Sequence, residues 1–220
     1  RRQRQMCIRD SVRRMLAPLI GRDIKDVRVI KPRIGGGFGA KQEMLIEDIV
    51  AHLAIATRRP VKLELDRSEE FIASRSRHPQ TLTFTTGVED SGKLVSQKLR
   101  LIGNTGPYGT HGQTVQTVAG LRGLTSYNAE NKKFDCDVVY TNTPVAGAYR
   151  GYGAPQAEFA LEAHMEDIAH SLGKDPIEFK RQNWVKVGDE LNIAPHLGER
   201  AVDPEDIDEL SLIHISEPTR

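Results

Sequence analysis

Ala148-Tyr149-Arg150-Gly151-Tyr152-Gly153-Ala154-Pro155-Gln156 follows a predicted strand and precedes a predicted helix. Gly151 and Gly153 lack side chains and permit a positive φ, so this main chain can closely approach another group. Pro155 has no amide proton and suits the first turn of a helix. The tyrosines add flat aromatic rings, and the arginine adds a guanidinium group with several hydrogen-bond donors in a fixed arrangement. The pattern is typical of an ordinary strand-to-helix turn and also of a loop that contacts a ligand.

A second glycine-rich loop occurs earlier, at Ile34-Gly35-Gly36-Gly37-Phe38-Gly39-Ala40-Lys41-Gln42. Alternating apolar residues predict a strand over 26–33 before it, and an apolar face at helical spacing predicts a helix over 42–57 after it. Successive glycines ahead of a helix expose backbone N–H groups to an anion or an oxo group. We therefore expect this loop to bind a ligand through its backbone.

The two loops together resemble the molybdenum-cofactor subunit of the xanthine dehydrogenase and aldehyde oxidase family, the molybdenum hydroxylases. In that family a GGGFGGK-type loop and an [AF][FY]RG[FY]G-PQ loop flank the metal, and both occur here in the same order. The resemblance implies that the loops lie side by side and that the amides of Phe38 and Arg150, without protein partners, face the oxygen ligands of molybdenum. It implies that no side chain coordinates the metal. The cofactor-binding residues carried over are Gly36, Gly37, Phe38, Gly39, Arg150 and Gly151.

The resemblance also implies an activity. Such enzymes hydroxylate a carbon of an N-heterocycle or an aldehyde with oxygen from water, at a molybdenum-molybdopterin centre with or without a dinucleotide on the pterin. Electrons leave through Fe-S clusters and FAD on partner domains or subunits, so an oligomeric complex is expected. The glutamate that acts as base lies far downstream in the family. The chain alone is therefore expected to be inactive.

Three residues are candidates for substrate binding. Gln42 stands where purine-oxidising relatives have a glutamate, and an amide both donates and accepts, whereas a carboxylate only accepts. The resemblance implies that Tyr152 replaces a phenylalanine whose ring helps to sandwich flat substrates. It also implies a role for Arg122, because in related enzymes an arginine from this region often helps to hold substrate. Gly151 stands where carbon monoxide dehydrogenases have a copper-binding cysteine, so that activity is not expected.

Two alternatives stay open at this point. Gly35-x-Gly37-x-x-Ala40, followed by a predicted strand over 61–66, outlines the fingerprint of an NAD-binding dehydrogenase domain. A non-catalytic binding domain of the same fold is the other alternative. Residues 81–88 and 94–102 predict an antiparallel hairpin, which favours an α+β class (mixed α/β with antiparallel ribbons). The resemblance implies that this fold is part of a molybdopterin-binding domain.

Both ends of the chain match translated sequencing-library adaptors. We therefore expect 1–11 and 210–220 to be non-native, disordered and in little contact with the rest. The resemblance then implies that 12–209 is a partial molybdopterin-binding domain. The two end segments carry five arginines and two acidic residues, so the remaining net charge is −2 instead of +1. No excess of basic residues then remains to indicate nucleic-acid binding. Cys136 is left as the one cysteine of 12–209, which excludes an internal disulfide there.

The remaining pattern predicts further elements and a location. Helices are expected over 12–20, 68–74, 115–124 and 155–172, and after the N-cap Asp175; a strand is expected over 134–140. His164 and His170 are expected at the surface. No apolar run is long enough to cross a membrane. A cytoplasmic location is expected, with the periplasm left open because the native N-terminus lies outside this sequence.

Overall fold

The computed structural model describes residues 2–33, 35–39 and 41–189, with side chains from residue 10 onward. The elements in chain order are α1 (Arg2–Leu19), a 3₁₀ turn (Ile24–Asp26), α2 (Glu47–Thr57), α3 (Arg67–Ala73), β1 (Gln80–Val88), β2 (Leu94–Asn104), α4 (Gly112–Thr125), β3 (Asn131–Val139), α5 (Ala154–Ser171) and α6 (Pro176–Asn183). This mixture of helices with an antiparallel hairpin confirms the α+β prediction. No helix within these ranges is both long and apolar enough to cross a bilayer.

The chain divides into two units, each built from three segments. The first unit contains Arg1–His78, Asn104–Gly112 and Tyr140–Tyr152. The second contains Pro79–Gly103, Gln113–Val139 and Gly153–Arg220. The earlier glycine-rich loop and residues 148–152 of the later one therefore belong to the first unit, and the predicted hairpin belongs to the second.

The sheet of the second unit has the order β1-β2-β3. β1 pairs antiparallel with β2, with Phe84 opposite Leu99, and the turn is closed by the Glu89 amide donating to the Lys93 carbonyl oxygen at 3.0 Å. Alternate side chains of β2 are buried, as expected for a strand with one face on a core. The predicted hairpin is thus confirmed.

Helix α5 covers the core of the second unit and packs against β1 and α6. Its buried side chains recur at helical spacing and meet apolar residues of β2, α6 and the segment before β3. The main cluster comprises Leu94, Tyr127, Ala129, Leu161, Met165, Ala169 and Phe179. His164 was expected at the surface, but it is half-buried, its ring stacks on Phe84, and burial lowers its pKa.

Three local predictions for the first unit are wrong. Neither 26–33 nor 61–66 forms a strand; residue 26 ends the 3₁₀ turn, and the other residues of both ranges have no regular secondary structure. Helix α2 begins at Glu47 and not at Gln42, because the Glu47 carboxylate accepts from the Leu45 and Ile46 amides at 2.8 and 3.0 Å and so ends the loop there. The strand–loop–helix outline of the dinucleotide fingerprint is therefore absent, and the NAD alternative does not fit this fold.

The N-terminal segment also differs from expectation. Residues 2–11 continue α1, whose first described buried side chain is Val12, and arginine, glutamine and methionine are good helix formers. How little these residues contact the rest of the chain stays a prediction. Their adaptor origin stays a prediction, and 210–220 lie outside the described residues.

Candidate functional site

The two glycine-rich loops lie against each other, as the sequence predicts. A Cβ built on Gly39 would lie 2.2 Å from the carbonyl oxygen of Ala148, so only glycine allows this approach. The guanidinium carbon of Arg150 lies 5.9 Å from the centre of the Phe38 ring. Residues far apart in sequence are thus brought together within the first unit.

Backbone strain is concentrated in these loops. Phe38 and Tyr152 have φ values of 48° and 51°, which residues with a Cβ rarely adopt, and Gly39, Gly151 and Gly153 also have positive φ. Such conformations persist only where surrounding contacts impose them, and they cluster at ligand-binding sites. The conformations expected of Gly151 and Gly153 are confirmed.

The loops line one open cavity of about 350 Å³, within the range of small-molecule sites. Its lining residues are Phe38, Gly39, Gln42, Tyr149, Arg150, Gly151 and Tyr152. Six of them are candidates from the sequence, and Tyr149 was missed as a lining residue although it stands beside Arg150 in the motif. Gln42 lines the cavity from the loop itself and not from a helix.

Three other candidates do not line this cavity. Gly36 lies beneath the Phe38 ring, since a Cβ there would be 2.7 Å from its Cε2, and Gly37 lies beside the Lys41 side chain. These glycines shape the loop that carries Phe38. Arg122 is exposed on α4 in the second unit.

Arg77 holds the loop that contains Arg150, a role that the sequence did not reveal. Its Nη2 donates to the Arg150 carbonyl oxygen at 2.7 Å, and its guanidinium lies 4.7 Å from the centre of the Tyr149 ring. The segment before this loop is held by a parallel bridge between Ser76 and Ala146, with the Gly147 amide donating to the Ser76 carbonyl oxygen at 3.0 Å. Arg77 thereby orients the loop from a neighbouring segment.

Beside the cavity lies a chain of polar contacts centred on Glu43. Arg75 Nε donates to Glu43 Oε2 at 2.7 Å, and His111 Nε2 lies 3.2 Å from Glu43 Oε1. His111 Nδ1 in turn hydrogen-bonds the Tyr152 hydroxyl. The side chain of Glu43 is only 13% exposed, so its charge requires these partners.

His78 completes the polar interior of the first unit. It is 2% exposed, and its pKa lies below the usual value, mainly because burial disfavours the imidazolium and also because His111 is near. Glu43 and a hydrogen bond to the backbone of Gly147 act in the opposite direction. The interior therefore favours an uncharged His78.

Two residues that line the cavity have backbone amides without a described protein acceptor. Among the described residues, the amides of Phe38 and Arg150 donate to no protein acceptor, so both are available to an external one. No group of three or more His, Cys, Asp or Glu side chains within the described ranges could hold a metal ion. A cofactor that brings its own ligands and accepts hydrogen bonds from backbone amides fits this arrangement.

Comparison with known proteins agrees with these features. The family model "Molybdopterin cofactor-binding domain" matches residues 5–184. The "Probable hypoxanthine oxidase XdhD" of Escherichia coli (strain K12) is 40% identical over 188 residues, covering 86% of this chain and 20% of that protein. The "Nicotinate dehydrogenase large molybdopterin subunit" of Eubacterium barkeri is 38% identical over 165 residues, covering 75% of this chain and 39% of that protein.

A solved structure of "Aldehyde Oxidoreductase from Desulfovibrio gigas (MOP)" superposes with a TM-score of 0.76 at 30% identity, covering 92% of this chain and 22% of that one. The chain spans about a fifth of the length of the first of these relatives. The family match covers most of the sequence and both glycine-rich loops. The chain therefore belongs to the molybdopterin cofactor-binding domain family of the molybdenum hydroxylases.

Proposed function

We propose that this chain is the part of a molybdenum hydroxylase that holds the molybdopterin cofactor and one side of the substrate. The complete enzyme would hydroxylate an electron-poor carbon of an N-heterocycle or an aldehyde with oxygen from water. The observation that supports this most is the meeting of the Phe38 and Arg150 loops at one cavity, in a chain of this family.

The chain would hold the cofactor mainly through its backbone. Phe38 and Arg150 would donate their amides to oxygen atoms of the bound group, and Gly39 and Gly151 would allow the main chain to come close. Gly36 and Gly37 would shape the loop beneath Phe38. The bound molybdenum centre would supply the oxygen transfer and accept two electrons.

Substrate would lie against Gln42 and Tyr152. Both line the cavity, one with an amide that donates and accepts, the other with a flat ring. Arg122, on α4 of the second unit, stays a separate candidate for substrate binding. Because Gln42 has no charge, a substrate with a carbonyl or a ring nitrogen suits it without a cationic group. Gly151, in place of a copper-binding cysteine, argues against carbon monoxide oxidation.

The electrons would leave through other parts of the assembly. We propose Fe-S and FAD carriers on partner domains or subunits, within a cytoplasmic oligomeric complex. The molybdopterin is proposed with or without a dinucleotide. The relative from Eubacterium barkeri is named as a subunit, which supports an assembly of several chains for that protein.

The test is metal and cofactor analysis of the complete protein that contains this chain, purified with its partners. Molybdenum close to one per chain, with a pterin released on denaturation, is the expected result. NAD binding without molybdenum would overturn the proposal in favour of a dehydrogenase. Neither molybdenum nor NAD would indicate a binding domain that kept the fold.

A further inference from the structure

Tyr152 is connected to the interior of the first unit through two further side chains. Its ring lines the cavity, its hydroxyl bonds His111 Nδ1, and His111 Nε2 lies 3.2 Å from Glu43 Oε1. Glu43 Oε2 accepts from Arg75 Nε at 2.7 Å. The chain Tyr152–His111–Glu43–Arg75 is here called the polar relay. It joins the cavity wall to a nearly buried ion pair.

The two ends of the polar relay are held by different kinds of contact. His111 Nδ1 and the Tyr152 hydroxyl form a hydrogen bond, in which the donor depends on the tautomer of His111. The contact of His111 Nε2 with Glu43 Oε1, at 3.2 Å, is electrostatic, because this oxygen makes no hydrogen bond to any described residue. Glu43 thus lies against the edge of the His111 ring that Tyr152 leaves free.

Tyr152 requires such a restraint. Its φ of 51° is unfavourable for a residue with a Cβ, and its two glycine neighbours provide no side-chain contacts. The His111 ring meets the Tyr152 ring edge-to-face, at 79° with 5.5 Å between ring centres. That geometry is favourable for aromatic pairs. The hydroxyl bond and the ring contact act on the same side chain.

Glu43 directly follows Gln42 in the sequence but lies in a different environment. Gln42 lines the cavity, whereas the next residue, Glu43, does not, and its carboxylate is enclosed beside Arg75, His111 and Gly147. A Cβ on Gly147 would lie 2.8 Å from Glu43 Oε1, so the main chain is packed against this carboxylate. Glu43 is therefore suited to holding His111 and not to binding substrate.

We propose that His111 and Glu43 are positioning residues that hold the Tyr152 ring as a fixed wall against which a flat substrate stacks. The inference rests on the proposed function, because it requires a substrate with a flat ring. The restraint itself concerns only residues of this chain. Loss of the Tyr152 hydroxyl or of the His111 ring should therefore release the same side chain.

The test uses the complete enzyme with Tyr152→Phe, His111→Phe and the double variant. Tyr152→Phe removes one oxygen atom and keeps the ring, so it leaves the packing volume almost unchanged. Hydrogen exchange of peptides covering 148–156 reports the loop without substrate or cofactor turnover. Each single variant should raise exchange there about fivefold, the scale of one hydrogen bond, and the double variant should add nothing further.

Kinetics separate positioning from general damage. For whichever of quinoline, nicotinate and hypoxanthine is turned over, KM should rise about fivefold with kcat within twofold. For acetaldehyde, which has no ring to stack, KM should stay unchanged. Effects that multiply in the double variant, unchanged exchange in both singles, or equal losses for acetaldehyde would overturn the inference.

His164→Phe is the matched control. His164 also bonds a hydroxyl, with Nε2 2.9 Å from Thr86 Oγ1, and also contacts an aromatic ring, but it lies in the second unit. It should leave exchange of 148–156 and all KM values unchanged. A wild-type enzyme without molybdenum that turns over no probe would refute the proposed function, while the exchange result would still decide the restraint on Tyr152.

Discussion

Gly39 packs directly on the main chain of Ala148, so that a Cβ built on Gly39 would lie 2.2 Å from the Ala148 carbonyl oxygen and 2.8 Å from the Tyr149 amide nitrogen. Both neighbours are backbone atoms, which cannot rotate away as a side chain can. Gly39 also has a φ of 103°, which other residues strongly avoid. Contact and conformation therefore both require glycine where the two loops meet.

Gly39→Ala should separate the loops and remove the cofactor site. Because the added methyl group would overlap the Ala148 carbonyl, one of the two loops must move. We expect molybdenum content in the complete enzyme to fall at least tenfold, measured by mass spectrometry of the metal relative to protein.

Gly35→Ala is the matched control for this prediction. Gly35 belongs to the same loop, but a Cβ there would meet nothing within 4 Å, and its φ lies outside the positive region. It should retain molybdenum within twofold of wild type. Equal losses in both variants would mean that the loop tolerates no side chain anywhere, and that the contact with Ala148 is not the reason.

Gln42→Glu should change substrate preference. Gln42 lines the cavity, and a carboxylate there would lose its hydration and the ability to donate. We expect kcat/KM on the native substrate to fall about tenfold or more, from a hydrogen bond of about 1.5 kcal/mol. Activity on hydroxypurines, which can donate to a carboxylate, should rise. Steady-state kinetics at equal molybdenum content is the measurement.

Gln42→Met separates charge from the loss of the amide. Methionine has a similar length but no charge, so a loss similar to that of Gln42→Glu would show that the missing amide is responsible. A smaller loss would show that the new charge matters. An unchanged profile in both variants would contradict any contact between Gln42 and substrate.

The sequence predicted those parts of the structure that depend on local patterns. The hairpin of β1 and β2, the apolar face of α5 and the Asp175 cap of α6 all follow from residue periodicity and capping chemistry, and the structure confirms them. The meeting of the two loops also was predicted, but only through the family resemblance, because their spacing in sequence carries no information about contact.

The sequence failed where a tertiary contact decides the outcome. Alternation over 26–33 and 61–66 predicted strands, yet alternation specifies an extended chain and not a partner for its hydrogen bonds. Helix α2 starts late, where the Glu47 side chain accepts from the amides of Leu45 and Ile46 just before the helix. The roles of Arg77 and His111 depend on residues distant in sequence, so no local pattern could reveal them.

Asn183→Leu should destabilise the second unit. Its Nδ2 donates to the carbonyl oxygens of Gly92 and Phe179, both at 2.9 Å, and its Oδ1 accepts from the Leu94 amide at 3.0 Å. Leucine would leave these buried groups without partners, at a cost of about 3 kcal/mol in the free energy of opening α6. Hydrogen exchange of peptides from α6 measures this.

The neighbouring residue Gln182 provides the control for that change. Gln182 is exposed and makes one longer bond, from Nε2 to the Ser91 carbonyl oxygen at 3.3 Å. Gln182→Leu should change the opening free energy by less than about 0.5 kcal/mol. A similar cost in both variants would assign the effect to leucine at the end of α6 and not to the buried bonds of Asn183.

Asp175→Ala should weaken the start of α6. The Asp175 carboxylate accepts from the Ile177 and Glu178 amides at 2.9 and 3.0 Å, two groups that the helix leaves without partners. Its loss should cost about 1 kcal/mol in local stability, seen as faster exchange of those amides. Asp23 is the control, because it precedes the 3₁₀ turn without any side-chain cap bond. Asp23→Ala should therefore cause no measurable loss of local stability.

Acidification should loosen the first unit through His78. Burial and the nearby His111 lower the pKa of His78 in the folded first unit. The unfolded state therefore binds a proton more readily than the folded state. The stability is therefore complete above the unfolded pKa of about 6.5 and is lost as pH falls from there toward the lower folded value. One proton limits the slope to about 1.4 kcal/mol per pH unit.

Hydrogen exchange of the Gly147 amide, bonded to the Ser76 carbonyl oxygen, reports this opening after correction for the intrinsic pH dependence of exchange. His78→Gln should flatten the pH dependence although it weakens the unit at every pH, whereas replacement of the exposed His170 by glutamine should leave the dependence as in wild type. An unaltered slope in His78→Gln would assign the acid response to another group, of which Glu43 and His111 face His78 most closely.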